Sequence, residues 1–206
     1  MSIFKNILLI SFLFFSGCGP KPYITPEGET LAKSHHIIAV LPPNIFSVDT
    51  EGSNPEFLEF GSNSESYLFQ EEIYMSFLRR KAKERVDIEV QSIETTNSIL
   101  YKNKESLYQM NVDSICNLLK VDALLTSQFE IEPPTPLLFR ILIMLLEQSY
   151  VSDDRDIEIS LSIKDCAEKS IVWNYTDIGN GVSPSRVVKS LLTRATKRMP
   201  YFKAEK

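Results

Sequence analysis

Asp156-Ile-Glu-Ile-Ser-Leu-Ser-Ile-Lys164 alternates polar and apolar residues without a break. Ile157, Ile159, Leu161 and Ile163 fall on one side, and Asp156, Glu158, Ser160, Ser162 and Lys164 on the other. That period of two belongs to a strand with one face in a core. Residues 165–169 carry turn chemistry, with Asp165 at an Asx-turn position. Residues 171–176 return as the antiparallel partner. After the break at Gly179-Asn-Gly181, Ser183-Pro184 opens a helix with Val187, Val188, Leu191, Leu192, Ala195 and Met199 on one side, and Pro200 ends it.

Working back toward the N-terminus, residues 122–131 read as a strand, with Ala123, Leu125, Phe129 and Ile131 sharing a face. Short helices are expected at about 95–103 and 112–119, the second capped by Asn111. Val86, Ile88 and Val90 alternate as a strand. Before them a helix runs from a capping box at Ser62–Glu65 to about Arg85. Leu68, Met75 and Ala82 recur on one of its faces and Phe69, Ile73 and Phe77 on another. One broad core face is the simpler reading, and a core face plus a partner surface is the other. Residues 44–63 read as a long loop, and residues 36–41 as a buried strand stopped by Pro42-Pro43. Thr135 and Pro136 start a helix over 137–147 that is apolar except for Arg140 and Glu147. Core burial is its leading reading. Its exposed alternative, a partner or membrane contact, would use Leu137, Phe139, Ile141, Ile143 and Leu145. The order β-α-β-α-α-β-α-β-β-α predicts an α/β fold. Its sheet is mixed and partly parallel with an antiparallel C-terminal hairpin, and helices pack on it in two or three layers.

Composition fits a single folded domain. The chain has 206 residues, 43% hydrophobic and 10% aromatic, too rich in core formers for a disordered chain. Its net charge of -5 gives no basic footprint for nucleic acid.

The first residues have their own logic. Lys5 precedes an apolar run from Ile7 to Phe15, and Ser16-Gly17-Cys18 follows. This is the layout of a secretory signal, and the run is far short of the ~20 residues that span a bilayer. Phe15-Ser16-Gly17-Cys18 resembles the bacterial lipobox, with Phe15 where Leu is usual. The resemblance implies cleavage after Gly17, a diacylglycerol thioether on Cys18 and a palmitate-type chain on the new amino group. Gly19, rather than Asp, implies sorting to the outer membrane. The domains are then 1–17, a lipoprotein signal peptide; 18–34, the lipidated Cys18 and a flexible Pro- and Gly-containing tether; and 35–206, a single α/β domain. Removing residues 1–17 takes away Lys5 and no acid, so an acidic globule would be held at the membrane by its lipid alone.

Several segments are familiar in their order: Ile38-Ala-Val-Leu-Pro42, Thr96-Asn-Ser-Ile-Leu100, Val121-Asp-Ala-Leu-Leu125, Ile159-Ser-Leu-Ser-Ile-Lys-Asp165 with Trp173, and Met199-Pro200-Tyr201. Over residues 36–202 the chain resembles bacterial outer-membrane lipoproteins related in fold to the TolB N-terminal domain and the periplasmic domain of CsgG. The residues themselves read as structural: Asp122 caps backbone at a strand start, Asp165 begins the hairpin turn, and Trp173, the sole Trp, packs on the sheet. The family's turn carries a Gly where this chain has Lys169-Ser170-Ile171-Val172-Trp173. A CsgG-type pore needs long lipid-facing hairpins, and the hairpin here, between polar turns, does not read as one.

Other chemistry is sparse. Cys116 and Cys166 read as two separate thiols, since pairing requires Cα atoms within about 7 Å. His35 and His36 have no close third ligand and read as solvated or half-buried. The acidic run Asp153, Asp154, Asp156 and Glu158 lacks EF-hand spacing. No catalytic residue, metal site or cofactor is expected. The leading expectation is a non-enzymatic lipoprotein on the periplasmic side of the outer membrane, acting through contacts with other envelope proteins in assembly or maintenance of the envelope. A homo-oligomeric accessory of secretion, motivated by the Phe69/Ile73/Phe77 face and the 137–146 helix, is the alternative. A periplasmic enzyme comes third.

Overall fold

The computed structural model describes residues 20–47, 64–107, 109–132 and 155–202. The expected helix at 137–147 lies outside the described residues.

Strand β5 (Ala123–Ile131) is the spine of a seven-stranded mixed sheet. On one side it runs parallel to β2 (Ile37–Val40) and β3 (Asn44–Ser47), and β2 runs parallel to β4 (Glu89–Val90). On the other side β5 is antiparallel to β6 (Arg155–Asp165), which turns into β7 (Ile171–Gly181). The expected hairpin is therefore present, and its strands are 11 residues each, longer than the sequence pattern marks. The parallel half arises because helices intervene between β3, β4 and β5: α2 (Ser64–Lys81), then α3 (Ile93–Lys102), α4 (Lys104–Leu107) and α5 (Val112–Leu119). Helix α6 (Pro184–Thr196) closes the domain.

Three sequence expectations are corrected. The loop placed at 44–63 begins later, because Asn44–Ser47 extends the edge that β2 starts. Val40 is level with Leu125 but Asn44 with Gln128, so one extra residue is absorbed at Pro42-Pro43. Prolines cannot donate to the ladder, and a bulge is where they fit. The strand read at 86–90 is reduced to Glu89–Val90, while Val86 bridges to Phe202.

The third correction concerns the tether. Within it, β1 (Tyr23–Ile24) pairs antiparallel with β7, and α1 (Gly28–Ser34) buries Ala32 in the core. Pro22 and Pro26 flank a two-residue edge strand, a position prolines tolerate. Gly28 allows the approach, since a Cβ there would collide with the Val172 carbonyl oxygen. Proline content is thus compatible with docking as well as with a free linker.

Hydrophobic cores lie on both faces of the sheet, which resolves the layer question. The larger packs Phe69, Ile73 and Phe77 of α2 and Val188, Leu191 and Leu192 of α6 against sheet residues including Leu125, Leu161 and Trp173. The smaller joins Ala39 and Leu124 to Leu100, Leu107, Cys116 and Leu119, so α3, α4 and α5 make a third layer over β2 and β5. Along β6 the second face shows half-exposed Glu158, Ser160, Ser162 and Lys164.

Candidate functional site

Cys18 and the contact residues Leu137, Phe139, Ile141, Ile143 and Leu145 lie outside the described residues, as do Asp153 and Asp154. The polar residues singled out at 35–36, 96–97, 122, 165 and 201 are described, and the fold gathers most of them near the β2 and β5 ends.

Cys116 and Cys166 correct the two-thiol reading. They form a disulfide with Cα atoms 5.8 Å apart. Cys116 faces inward from α5, and Cys166 follows the end of β6. The pairing of β5 with β6 brings that turn beside Val121-Asp122, where Cys166 N–H donates to the Asp122 carbonyl at 3.0 Å. Sequence separation of 50 residues hides a proximity that only the sheet creates.

His35 corrects the solvated reading. Its ring is 2% exposed and lies between Asp165 and Tyr201, with Nε2 2.7 Å from Asp165 Oδ2 and Nδ1 2.6 Å from the Tyr201 hydroxyl. Burial and the nearby Asp165 and Asp122 carboxylates push the Tyr201 hydroxyl well above its ordinary pKa, so it is a donor. Tyr201 O–H donates to Nδ1, and Nε2–H donates to Asp165, which satisfies both ring nitrogens in the neutral tautomer. The other carboxylate oxygen accepts from Glu168 N–H, three residues on rather than the two of the expected Asx-turn, and still closes the hairpin turn. This acid–imidazole–phenol chain would transfer protons only if a reactant reached it. With His35 and Asp165 side chains 2% and 4% exposed, it acts as a clasp holding the start of β2, the β6–β7 turn and the C-terminal segment together.

Asp122 performs the expected capping role, but across strands. Its Oδ2 accepts from His36 N–H at 2.6 Å and Ile37 N–H at 2.9 Å. Burial alone would raise its pKa; these two backbone donors and the neighbouring His36 ring outweigh burial and lower it. His36 itself is exposed, with Nδ1 3.7 Å from Asp122.

The Thr96-Asn97 pair belongs to a network that sequence reasoning missed. Gln70 of α2, fully buried, exchanges hydrogen bonds with Asn97 at 2.8 and 3.0 Å and donates to the Val40 carbonyl at 2.8 Å. Thr96 donates to Gln91 Oε1 at 2.9 Å, and Gln91 donates to the Leu119 carbonyl at 2.8 Å. Each amide closes a strand or helix end whose backbone groups would otherwise be buried without partners. A glutamine set between Phe69 and Ile73 on the helix was the available signal.

A second polar cluster ties β7 to α6. Asp177 Oδ2 accepts from Arg194 Nε and from the Tyr175 hydroxyl, both at 2.7 Å. Arg198 Nη1 donates to the Tyr175 oxygen at 3.0 Å, and Trp173 Nε1 donates to the Arg198 carbonyl at 2.9 Å. Trp173 is fully buried on the sheet, as its sequence reading expects, and its ring stacks on Tyr175.

On α2 the two apolar faces part company. Phe69, Ile73 and Phe77 are core, so that face is not available for subunit contact. Tyr67, Leu68 and Met75 on the opposite side are 46%, 56% and 37% exposed. The single broad core face is therefore not what forms. Among the described residues, no helix is long and apolar enough to cross a membrane, and no three His, Cys, Asp or Glu side chains are grouped to hold a metal ion.

No protein-family model matches the chain, and no curated protein matches it in sequence. Among solved structures it is similar to lipoprotein GNA1162 from Neisseria meningitidis, at 12% identity and a TM-score of 0.45, covering 79% of this chain and 96% of that one. It is also similar to a PelC dodecamer from Paraburkholderia phytofirmans, at 10% identity and a TM-score of 0.41, covering 81% and 89%. The C-terminal domain of LpoB from Salmonella enterica matches at 10% identity and a TM-score of 0.35, covering 85% and 93%. At such identities the roles of individual residues rest on this chain's own geometry.

Proposed function

We propose that this chain is an exported lipoprotein, anchored through Cys18 to the periplasmic face of the outer membrane, that works through contacts with other envelope proteins rather than by turnover. The observation that carries the export half is the Cys116–Cys166 disulfide. Such bonds persist in oxidising compartments such as the bacterial periplasm and are rare in the cytosol. Phe15-Ser16-Gly17-Cys18 supplies the matching address and anchor. The contact half is supported by the Tyr67, Leu68 and Met75 side of α2, apolar surface beyond what the core uses. The clasp and amide networks are internally saturated and read as scaffold.

Two measurements test the halves separately. Mass spectrometry of the mature protein should find an acylated Cys18 as the first residue, and Cys18→Ala should release the protein from the membrane fraction. An unmodified N-terminus would refute the anchor. Photo-crosslinking residues placed at Leu68 and Met75 in cells should each yield discrete adducts that a probe at exposed Lys102 does not. Equal labelling from all three sites would refute a contact surface on α2.

A further inference from the structure

The docking of β1 and α1 leaves little chain between the fold and Cys18. Thr25 N–H donates to the Val172 carbonyl at 3.3 Å and Ala32 is buried in the core, so the chain is held from Tyr23 onward. Cys18 stands five residues before Tyr23, and extended chain of that length reaches at most about 18 Å. A tether over the whole of 18–34 would reach about three times as far. A folded domain of this size is roughly 40 Å across. A lipid on Cys18 therefore keeps one side of the domain beside the bilayer instead of letting it swing free.

The pairing of β1 fixes which side that is. Tyr23 lies level with Asn174 and Ile24 with Trp173 in antiparallel register, so the chain upstream of Tyr23 sets out along β7 toward Ile178. Pro20 and Pro22 favour an extended course. Ile178 is four residues from Asn174, about 13 Å at strand spacing and within the tether's reach. Tyr23, Ile178 and Val182 are each more than half exposed. Exposed Lys21 precedes them, and exposed Arg186 and Lys189 follow on α6, a helix without an acidic residue. Apolar side chains flanked by tyrosine and basic residues have the composition of a lipid–water interface contact. Backbone pairing with a partner strand fits less well at Ile178. Its N–H donates to Asp177 Oδ1 at 2.9 Å and its carbonyl accepts from Arg194 Nη2 at 3.3 Å, which leaves its side chain on offer. Glu158, level with Ile178 on β6, limits the contact to the edge, because a face-on approach would bring a carboxylate to an anionic surface.

We propose that the β1–β7 edge of the domain rests on the bilayer that carries its anchor. Tyr23, Ile178 and Val182 lie in the interfacial layer, and Lys21, Arg186 and Lys189 lie at the level of the headgroups. This posture rests on the lipidation of Cys18 and adds to it a defined contact surface.

Vesicles of phosphatidylethanolamine and phosphatidylglycerol that contain a diazirine-bearing phospholipid test it with the purified mature protein. Flotation reports the anchor, and mass spectrometry of the photo-adducts reports the posture. Adducts on residues 20–24 and 178–189 should exceed those on the segments carrying exposed Tyr67 and Tyr101. The expected excess is about tenfold, the ratio for a posture held about nine-tenths of the time. Ile178→Thr with Val182→Thr keeps the tether and the β-branched shape. It should cut the adducts on residues 183–189 about fivefold through lost apolar burial, with flotation and the melting temperature unmoved. Protein that does not float, with Cys18 unmodified, overturns the anchor and the posture together. Protein that floats while its adducts are spread evenly overturns the posture alone. So does a double variant labelled as the parent is, or a photo-crosslinking side chain at Val182 that in cells is captured by protein in place of lipid.

Discussion

The two faces of the sheet are stabilised by different means. On the face toward α2 and α6, fully buried Trp173, Tyr175, Phe77 and Phe129 join the aliphatic stripe Ile157, Ile159, Leu161 and Ile163. On the face toward α3, α4 and α5, the buried set is much smaller and none of it is aromatic. That second layer consists of short helices, and it carries the disulfide from Cys116 to Cys166 along with side-chain caps from Ser92 and Asn111. Burial scales with apolar area, so a layer of short helices has little of it to contribute. A covalent link and satisfied helix ends compensate. One face is held by packing and the other by fastening, which predicts different responses to damage.

Trp173→Ala is the sharpest test on the packed face. It empties the largest fully buried side chain and removes the hydrogen bond to the Arg198 carbonyl. We expect a loss of about 4 kcal/mol, seen as a lower denaturant midpoint shared by probes on both faces. A purely local loosening would break the comparison. On the fastened face, Cys116→Ala with Cys166→Ala should cost about 3 kcal/mol, within the usual range for a native bridge. The change should appear first as faster amide exchange in α3 and α5, with β6 and β7 still protected. Equal loss of protection on both faces would mean that the disulfide serves the whole domain rather than its own layer.

The packed face was the legible one. Val187, Val188, Leu191 and Leu192 on α6 and the alternation along β6 announce themselves through periodicity, which a core imposes directly. Asp122, Asp165 and Trp173 are legible as structural residues from their local chemistry, and they cap backbone, brace the hairpin turn and pack on the sheet. The fastened face was hidden because its contacts join residues distant in sequence. Neither Cys116 nor Cys166 bears a local mark of its partner, and Gln70 with Asn97 is 27 residues apart. The docking of 23–34 was obscured for another reason, since prolines at a sheet edge and in a linker have the same composition.

Between these extremes lies the junction of β7 with α6, where charge supplements packing. Burial alone would raise the Asp177 pKa, but the hydrogen bonds from Arg194 and Tyr175, the Arg194 charge and the Ile178 N–H hold it below the ordinary carboxylate value. The unfolded chain therefore takes up this proton first as pH falls. The contribution is complete above about pH 4, the unfolded value, and is lost as pH drops through the lower folded value. Asp177→Asn should cost about 1 kcal/mol at neutral pH, discounted because Arg194 is 41% exposed. Its acid unfolding curve should be flatter than the parent's. An unchanged acid limb would place the pH sensitivity elsewhere.

The smallest effect belongs to the turn that joins the two faces. Asp165 is held by His35, Cys166 by Cys116, and the Lys169 ammonium lies 3.2 Å from Asp113 of α5. Lys169 has φ 57°, in the left-handed region that favours glycine. A side chain there costs about 1 kcal/mol relative to an ordinary backbone conformation. The exposed ion pair returns between zero and about 1 kcal/mol. Lys169→Ala keeps the strain and removes the pair, while Lys169→Gly removes both. Glycine also gives the unfolded chain more freedom, which takes back part of its gain. Thermal denaturation should therefore rank Gly above Ala by about 0.5 kcal/mol, with Gly close to the parent. If alanine equals glycine, the turn holds no backbone strain, and its hold on the fastened face comes from the Cys166 and Lys169 side chains alone.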